Sequence, residues 1–133
     1  MIVCSADKSG RVLTISYGAH VGPAEMRQCV KTARELADQL QPGFLLLTDL
    51  THLKSMEVDC APDIGVLMEL FSARGMAAVV RVIPDSSKDI GFDLISRFHL
   101  YPQIQTRTHA SLAEAIKSLL TDPVEIPSDM NLN

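Results

Sequence analysis

His52, Glu57, Asp59, Cys60 and Asp63 fall within one short polar stretch, and imidazole, thiolate and carboxylate can all bind zinc. Their spacing matches no established zinc motif, so a polar loop that caps a helix is the plainer account. Cys60 is also a candidate nucleophile, because a thiol at a helix N-terminus loses its proton more readily. Glu57, Asp59 and Asp63 oppose that effect by disfavouring the thiolate. No general base stands beside it in sequence; His20, His52, His99 or His109 would have to be brought in by the fold. Asp85-Ser86-Ser87-Lys88 is the more open anion site, with a simple helix cap as its bland counterpart. Neither the dinucleotide nor the P-loop glycine signature occurs. Arg81 interrupts an apolar run and is either a ligand-facing charge or one that snorkels or pairs at an edge. We therefore expect no enzyme activity, no catalytic residue, no cofactor and no metal.

His52, Glu57, Asp59, Cys60 and Asp63 belong to residues 44–74, the stretch around which the chain is organised. An apolar run of strand length, Phe44-Leu45-Leu46-Leu47, leads into a polar loop at 48–63 and then an amphipathic helix at 62–74. Its buried stripe is Ile64, Leu67, Met68 and Phe71, at helical spacing. In open α/β sheets, ligands and partners meet the protein beyond the carboxyl ends of the strands. The loop is thus the place to look for function.

Upstream, residues 1–5 and 11–17 are short β-rich runs around an Asp-Lys-Ser-Gly turn, which spells a hairpin with 11–17 at a sheet edge. Gly22-Pro23 opens a helix with Met26, Val30, Ala33, Ala37 and Leu40 inward, and Gln41-Pro42-Gly43 stops it. Downstream, residues 76–83 form an interior strand. A third helix buries Ile90, Leu94, Ile95 and Phe98, and a short strand follows at 103–107. Ser111 and Glu114 make a capping box for a last helix with the stripe Leu112, Ala115, Ile116 and Leu119. The expected order is β-β-α-β-α-β-α-β-α: an α/β fold with a mixed, mostly parallel sheet.

Composition narrows the classes. The chain has 133 residues, a size suited to one domain. With no Trp, four Phe and two Tyr, its core must be aliphatic. Net charge is −4, with Asp122, Glu125 and Asp129 following the last basic residue, Lys117. Without a basic patch, nucleic-acid binding is not expected. Three widely spaced cysteines read as small buried hydrophobes. No apolar run approaches the roughly twenty residues that a membrane helix requires, so a cytoplasmic, reducing location is expected.

Three stretches carry a family resemblance. Leu46-Leu47-Thr48-Asp49-Leu50-Thr51 resembles the strand ending in Asp-Leu-Ser of STAS domains and the SpoIIAA-like group. Residues 57–71 resemble that family's acid-Ser-Ser-Gly loop entering an aliphatic helix. Residues 79–120 resemble its strand, helix, short strand and closing helix. The resemblance covers residues 1–120 as a single STAS-like domain and leaves 121–133 as an acidic, flexible tail. It implies a non-enzymatic regulatory or scaffold domain of the anti-sigma-factor-antagonist type, whose partner is a kinase-like anti-sigma factor or another signalling protein. In the family, a Ser in the loop before the second helix is phosphorylated. Glu57 falls on the acid of that motif, but Val58 and Asp59 replace the serines and Cys60 the glycine. The serine phosphoswitch is therefore not retained, and Ser55 is the only hydroxyl close by.

The expected partner-binding residues are Asp49, Thr51, Ser55, Glu57, Asp59, Cys60 and Asp63, with the exposed side of the 62–74 helix. The alternative is a small apolar ligand or lipid carrier, which requires a cavity of a few hundred Å³ beside residues such as Leu46, Leu67 and Val80. Pairing through the 11–17 edge would make a homodimer.

Overall fold

The computed structural model describes residues 1–85 and 104–125. Five strands form one sheet in the order β1-β2-β3-β4-β5. These are β1 (Ile2–Ala6), β2 (Val12–Val21), β3 (Leu45–Met56), β4 (Ala78–Val82) and β5 (Gln105–His109). Only β1 and β2 pair antiparallel; the other three pairings are parallel. The described helices are α1 (Pro23–Ala37), α2 (Ala61–Ala73) and α3 (Leu112–Thr121), with a 3-10 turn at Val58–Cys60. The expected mixed, mostly parallel α/β fold is the observed one. The helix expected around Ile90, Leu94, Ile95 and Phe98, and the anion site at Ser86-Ser87-Lys88, lie outside the described residues. So do His99 and the end of the tail.

Local chemistry sets the hairpin. The Asp7 carboxylate accepts the backbone N–H groups of Arg11 and Val12, both at 2.9 Å. Gly10 has φ 71°, and a Cβ there would lie 2.0 Å from the Gln39 carbonyl oxygen. Only glycine allows that approach. It lets the Gly10 carbonyl accept the Gln41 N–H at 2.8 Å, docking the turn on the α1–β3 connection.

On one face of the sheet, Leu13, Ile15, Leu46, Leu50 and Val79 pack beneath Met26, Val30 and Ala33 of α1 and Ile64, Leu67, Met68 and Phe71 of α2. The stripe expected for α2 is buried as its spacing required. Phe44 and Phe71 meet edge to face, with centroids 6.1 Å apart. On the other face, α3 packs on β4 and β5 around Val80, Val82 and Ala115. Ser111 caps α3 by accepting the Glu114 N–H at 3.2 Å. Its apolar stripe is less buried than expected, since Leu112 and Ile116 are exposed.

Several boundaries differ from the sequence expectation. The strand placed at 44–47 runs on to Met56, and the expected 11–17 strand runs on to Val21. These added residues pair with one another, as in His20↔Ser55 and Val21↔Met56. Register shifts between Ser16 and Gly18, and between Ala19 and His20, interrupt the ladder. Those bulges place the buried Leu50 and Leu53 three residues apart, a spacing that fits no two-residue alternation. β2 is also not an edge, since it lies between β1 and β3. An edge-to-edge homodimer through 11–17 is therefore unavailable, and β1 and β5 are the outer strands. The presumed tail is held at its start: Thr121 ends α3, and Arg107 donates to the Asp122 carbonyl at 2.5 Å.

Candidate functional site

The extended β2–β3 ladder ends where α2 begins. The Val21 carbonyl accepts the Glu57 N–H at 3.0 Å and faces the Cys60 Sγ at 3.8 Å. One carbonyl thus anchors both ends of the turn. Glu57 to Cys60 closes with a 3.0 Å N–H···O bond, and Pro62 follows in the first turn of α2. Glu57 folds over the close of β2: a Cβ on Gly22 would lie 2.6 Å from its Oε2. Beside it, the His20 Nδ1 contacts the Ser55 hydroxyl across the ladder.

The expected site residues divide into three groups. Ser55, Glu57 and Asp59 are exposed along the end of β3 and the turn, and Asp63 is half-buried in the first turn of α2. Asp49 and Thr51 lie further back on β3, where the Asp49 carboxylate accepts the Thr51 N–H at 3.0 Å and its hydroxyl. Cys60 is wholly buried, as the reading of the cysteines as buried hydrophobes expected; its side chain therefore belongs to no contact surface, which corrects its place among the partner-binding residues. Burial first, then the charges of Glu57, Asp63 and Asp59, push its thiol pKa up. It is a protonated core residue and a poor nucleophile. Asp59 makes no cap either: Cys60 holds the α2 N-cap position, and no side chain caps that helix.

Two neighbours, Val58 and His20, were not among the expected partner-binding residues. Val58 is 86% exposed between Glu57 and Asp59, an apolar side chain flanked by two acids. That pattern was its only signal. His20 reaches Ser55 only because β2 and β3 continue past the point where their alternation breaks. Among the described residues, no three His, Cys, Asp or Glu side chains gather as a metal site.

Under α2, a cavity of about 40 Å³ is lined by Ile15, Tyr17, Leu46, Met68 and Arg81, among others. That is room for a few waters, far below the several hundred Å³ of a ligand pocket. Leu67 and Val80 do not line it. Arg81 is buried at 6% exposure on its wall. Burial, and then the Cys29, Cys4 and Cys60 thiols, push the Tyr17 hydroxyl pKa up.

The fold has counterparts among solved structures. A protein of the DUF3478 family from Shewanella loihica PV-4, described as having a SpoIIAA-like fold, superposes with TM-score 0.58 at 14% identity. That match covers 90% of this chain and 92% of the other. The anti-sigma factor antagonist SpoIIAA in its unphosphorylated form gives TM-score 0.58 at 9% identity, over 92% of this chain and 99% of its own. The chain has the SpoIIAA-like, STAS-type fold. An anti-sigma factor antagonist from Mycobacterium paratuberculosis matches it at TM-score 0.55 and 15% identity, over 90% of this chain and 95% of that one. No protein-family model and no curated protein sequence matches the chain. Among the described residues, no helix of this SpoIIAA-like domain is long and apolar enough to cross a membrane.

Proposed function

We propose that this SpoIIAA-like domain is a non-enzymatic regulatory or scaffold module that binds a protein partner. Contact is made through residues 48–63 and the exposed side of α2, without a serine phosphoswitch in the turn. The observation that carries this reading is Val58, 86% exposed in a turn anchored at both ends. An exposed apolar residue ringed by charge suits the centre of a recognition patch. Glu57, Asp59 and Asp63 around it favour a partner that presents cationic groups, because complementary charge steers encounter and fixes register. Partners of anti-sigma-factor-antagonist relatives, or other signalling proteins, are the natural candidates. Asp59 supplies fixed negative charge at the position where the family carries a modifiable serine.

The test is retention from native extract on immobilised wild-type and Val58→Asp chains. A protein held by the wild type and lost from the variant supports the proposal. Equal retention, or a small-molecule ligand with no protein partner, overturns it. Self-association, if it occurs, shifts to the β1 edge, where Val3 is 53% exposed. A monomeric mass by light scattering at high concentration removes that part of the reading.

A further inference from the structure

Beneath the first turns of α1, strand β1 and helix α1 bring two thiols together. Ile2, Cys4 and Ala6 pack against the core while Val3 is exposed, so Cys4 lies on the side of β1 that meets α1. Cys29, on the inner face of α1, is only 4% exposed. The two thiols are neighbours, and both are free. They share a wall of an open groove of about 400 Å³, whose other lining includes Val3, Glu25, Gln28 and Thr32. The contact with Cys29 holds the Cys4 pKa below its ordinary value, although burial acts against it. The same contact, with burial, holds Cys29 protonated. Cys4 is the more accessible of the two and is the thiol placed to attack; the buried Cys29 beside it is placed to resolve the product.

We propose that Cys4 and Cys29 form a dithiol site at which a hydroperoxide entering the β1–α1 groove is reduced and the two cysteines are joined as a reversible disulfide. The Cys4 thiolate attacks one peroxide oxygen: an S–O bond forms, the O–O bond breaks, and the leaving oxygen departs as water or an alcohol after taking a proton. Cys29 sulfur then attacks the Cys4 sulfenic acid. The S–S bond forms, the S–O bond breaks, and the hydroxyl leaves as water with the Cys29 proton. The two thiols are oxidised by two electrons in all, and the peroxide is reduced by two. The groove admits a small polar oxidant, and Glu25, Gln28 and Thr32 give it a polar lining. Cys60 takes no part, because it is buried and does not line the groove.

The test treats the reduced full chain with hydrogen peroxide, then alkylates and maps it. The expected result is a Cys4–Cys29 cross-link within one chain, an intact mass lower by two hydrogens, and full recovery of both thiols with dithiothreitol. Cys29→Ala is expected to leave a sulfenic acid on Cys4 that dimedone traps. Because Cys29 lies in the core, wild-type protein is also titrated with phenylarsine oxide, whose arsenic bridges adjacent thiols. One equivalent should protect Cys4 and Cys29 together and slow disulfide formation about tenfold or more, since only thiolate reacts. Oxidised chains in which both cysteines stay free, in which Cys4 bridges two chains, or in which the arsenical protects neither thiol overturn the proposal.

Discussion

Val58 and Cys60 stand two residues apart in one short turn, yet Val58 is 86% exposed and Cys60 is not exposed at all. The turn is where the molecule passes from floor to rim. Below it, Cys60, Ile64, Leu67 and Phe71 close the core against the sheet. Above it, Ser55, Glu57, Val58 and Asp59 face solvent. The comparison teaches that stability and recognition are separable here, because the Val21 carbonyl anchors the turn while Val58 and Asp59 point outward from it.

Substitutions on the floor should therefore act through stability. Phe71 is fully buried and meets Phe44 edge to face. Phe71→Ala should cost about 3–5 kcal/mol in urea unfolding. A loss under about 1 kcal/mol would mean that the α2 floor is not packed as described.

The buried ionisable groups give a second handle. The raised pKa values of Cys60 and Tyr17 mean that both groups hold their protons more firmly folded than unfolded. Their stabilising effect is complete below the unfolded values and is lost as pH rises through the folded ones. Above about pH 8.5 for the thiol and 10 for the phenol, stability should fall by about 1.4 kcal/mol per pH unit for each group. Urea midpoints between pH 7 and 10.5 check this. Cys60→Ala and Tyr17→Phe should each flatten the alkaline slope, and unchanged slopes would contradict the burial assigned to them.

Ser111→Ala removes the hydrogen bond to the Glu114 N–H and should lower stability by about 1 kcal/mol, read as a drop in melting temperature. Smallest of all is the rim. Asp59→Ala and Asp59→Ser should both stay within about 0.5 kcal/mol of wild type, because Asp59 caps no helix. A larger cost for Ala than for Ser would restore a capping role and blur the division between floor and rim.

Much of the floor was legible in the sequence and much of the rim was not. Ile64, Leu67, Met68 and Phe71 recur at helical spacing, and Leu13, Ile15 and Tyr17 alternate, so hydrophobic period alone located both elements. The Ser111 cap was legible because its side chain bonds three residues on. The ends of β2 and β3 were hidden because bulges break the alternation between Tyr17 and Val21 and between Leu50 and Met56. Polar residues such as Asp49, Thr51 and Ser55 then read as loop, although their backbones belong to the ladder. Cys60 read as a buried hydrophobe by residue type and as a contact residue by its acidic neighbours, and the turn that faces its thiol toward the Val21 carbonyl decides for burial. Cys4 and Cys29 gave no local signal at all, since their contact depends on how β1 docks on α1.

The central claim is that a protein partner docks on the rim around Val58. The most direct measurement places a photo-crosslinking side chain at Val58, and in a second chain at Lys31 on the exposed side of α1, and irradiates each in native extract. The account predicts a specific protein adduct from position 58 and none from position 31. That adduct should be competed away by excess wild-type chain and only weakly by an Asp59→Lys chain. No adduct from position 58, or competition by Asp59→Lys as strong as by wild type, would contradict it.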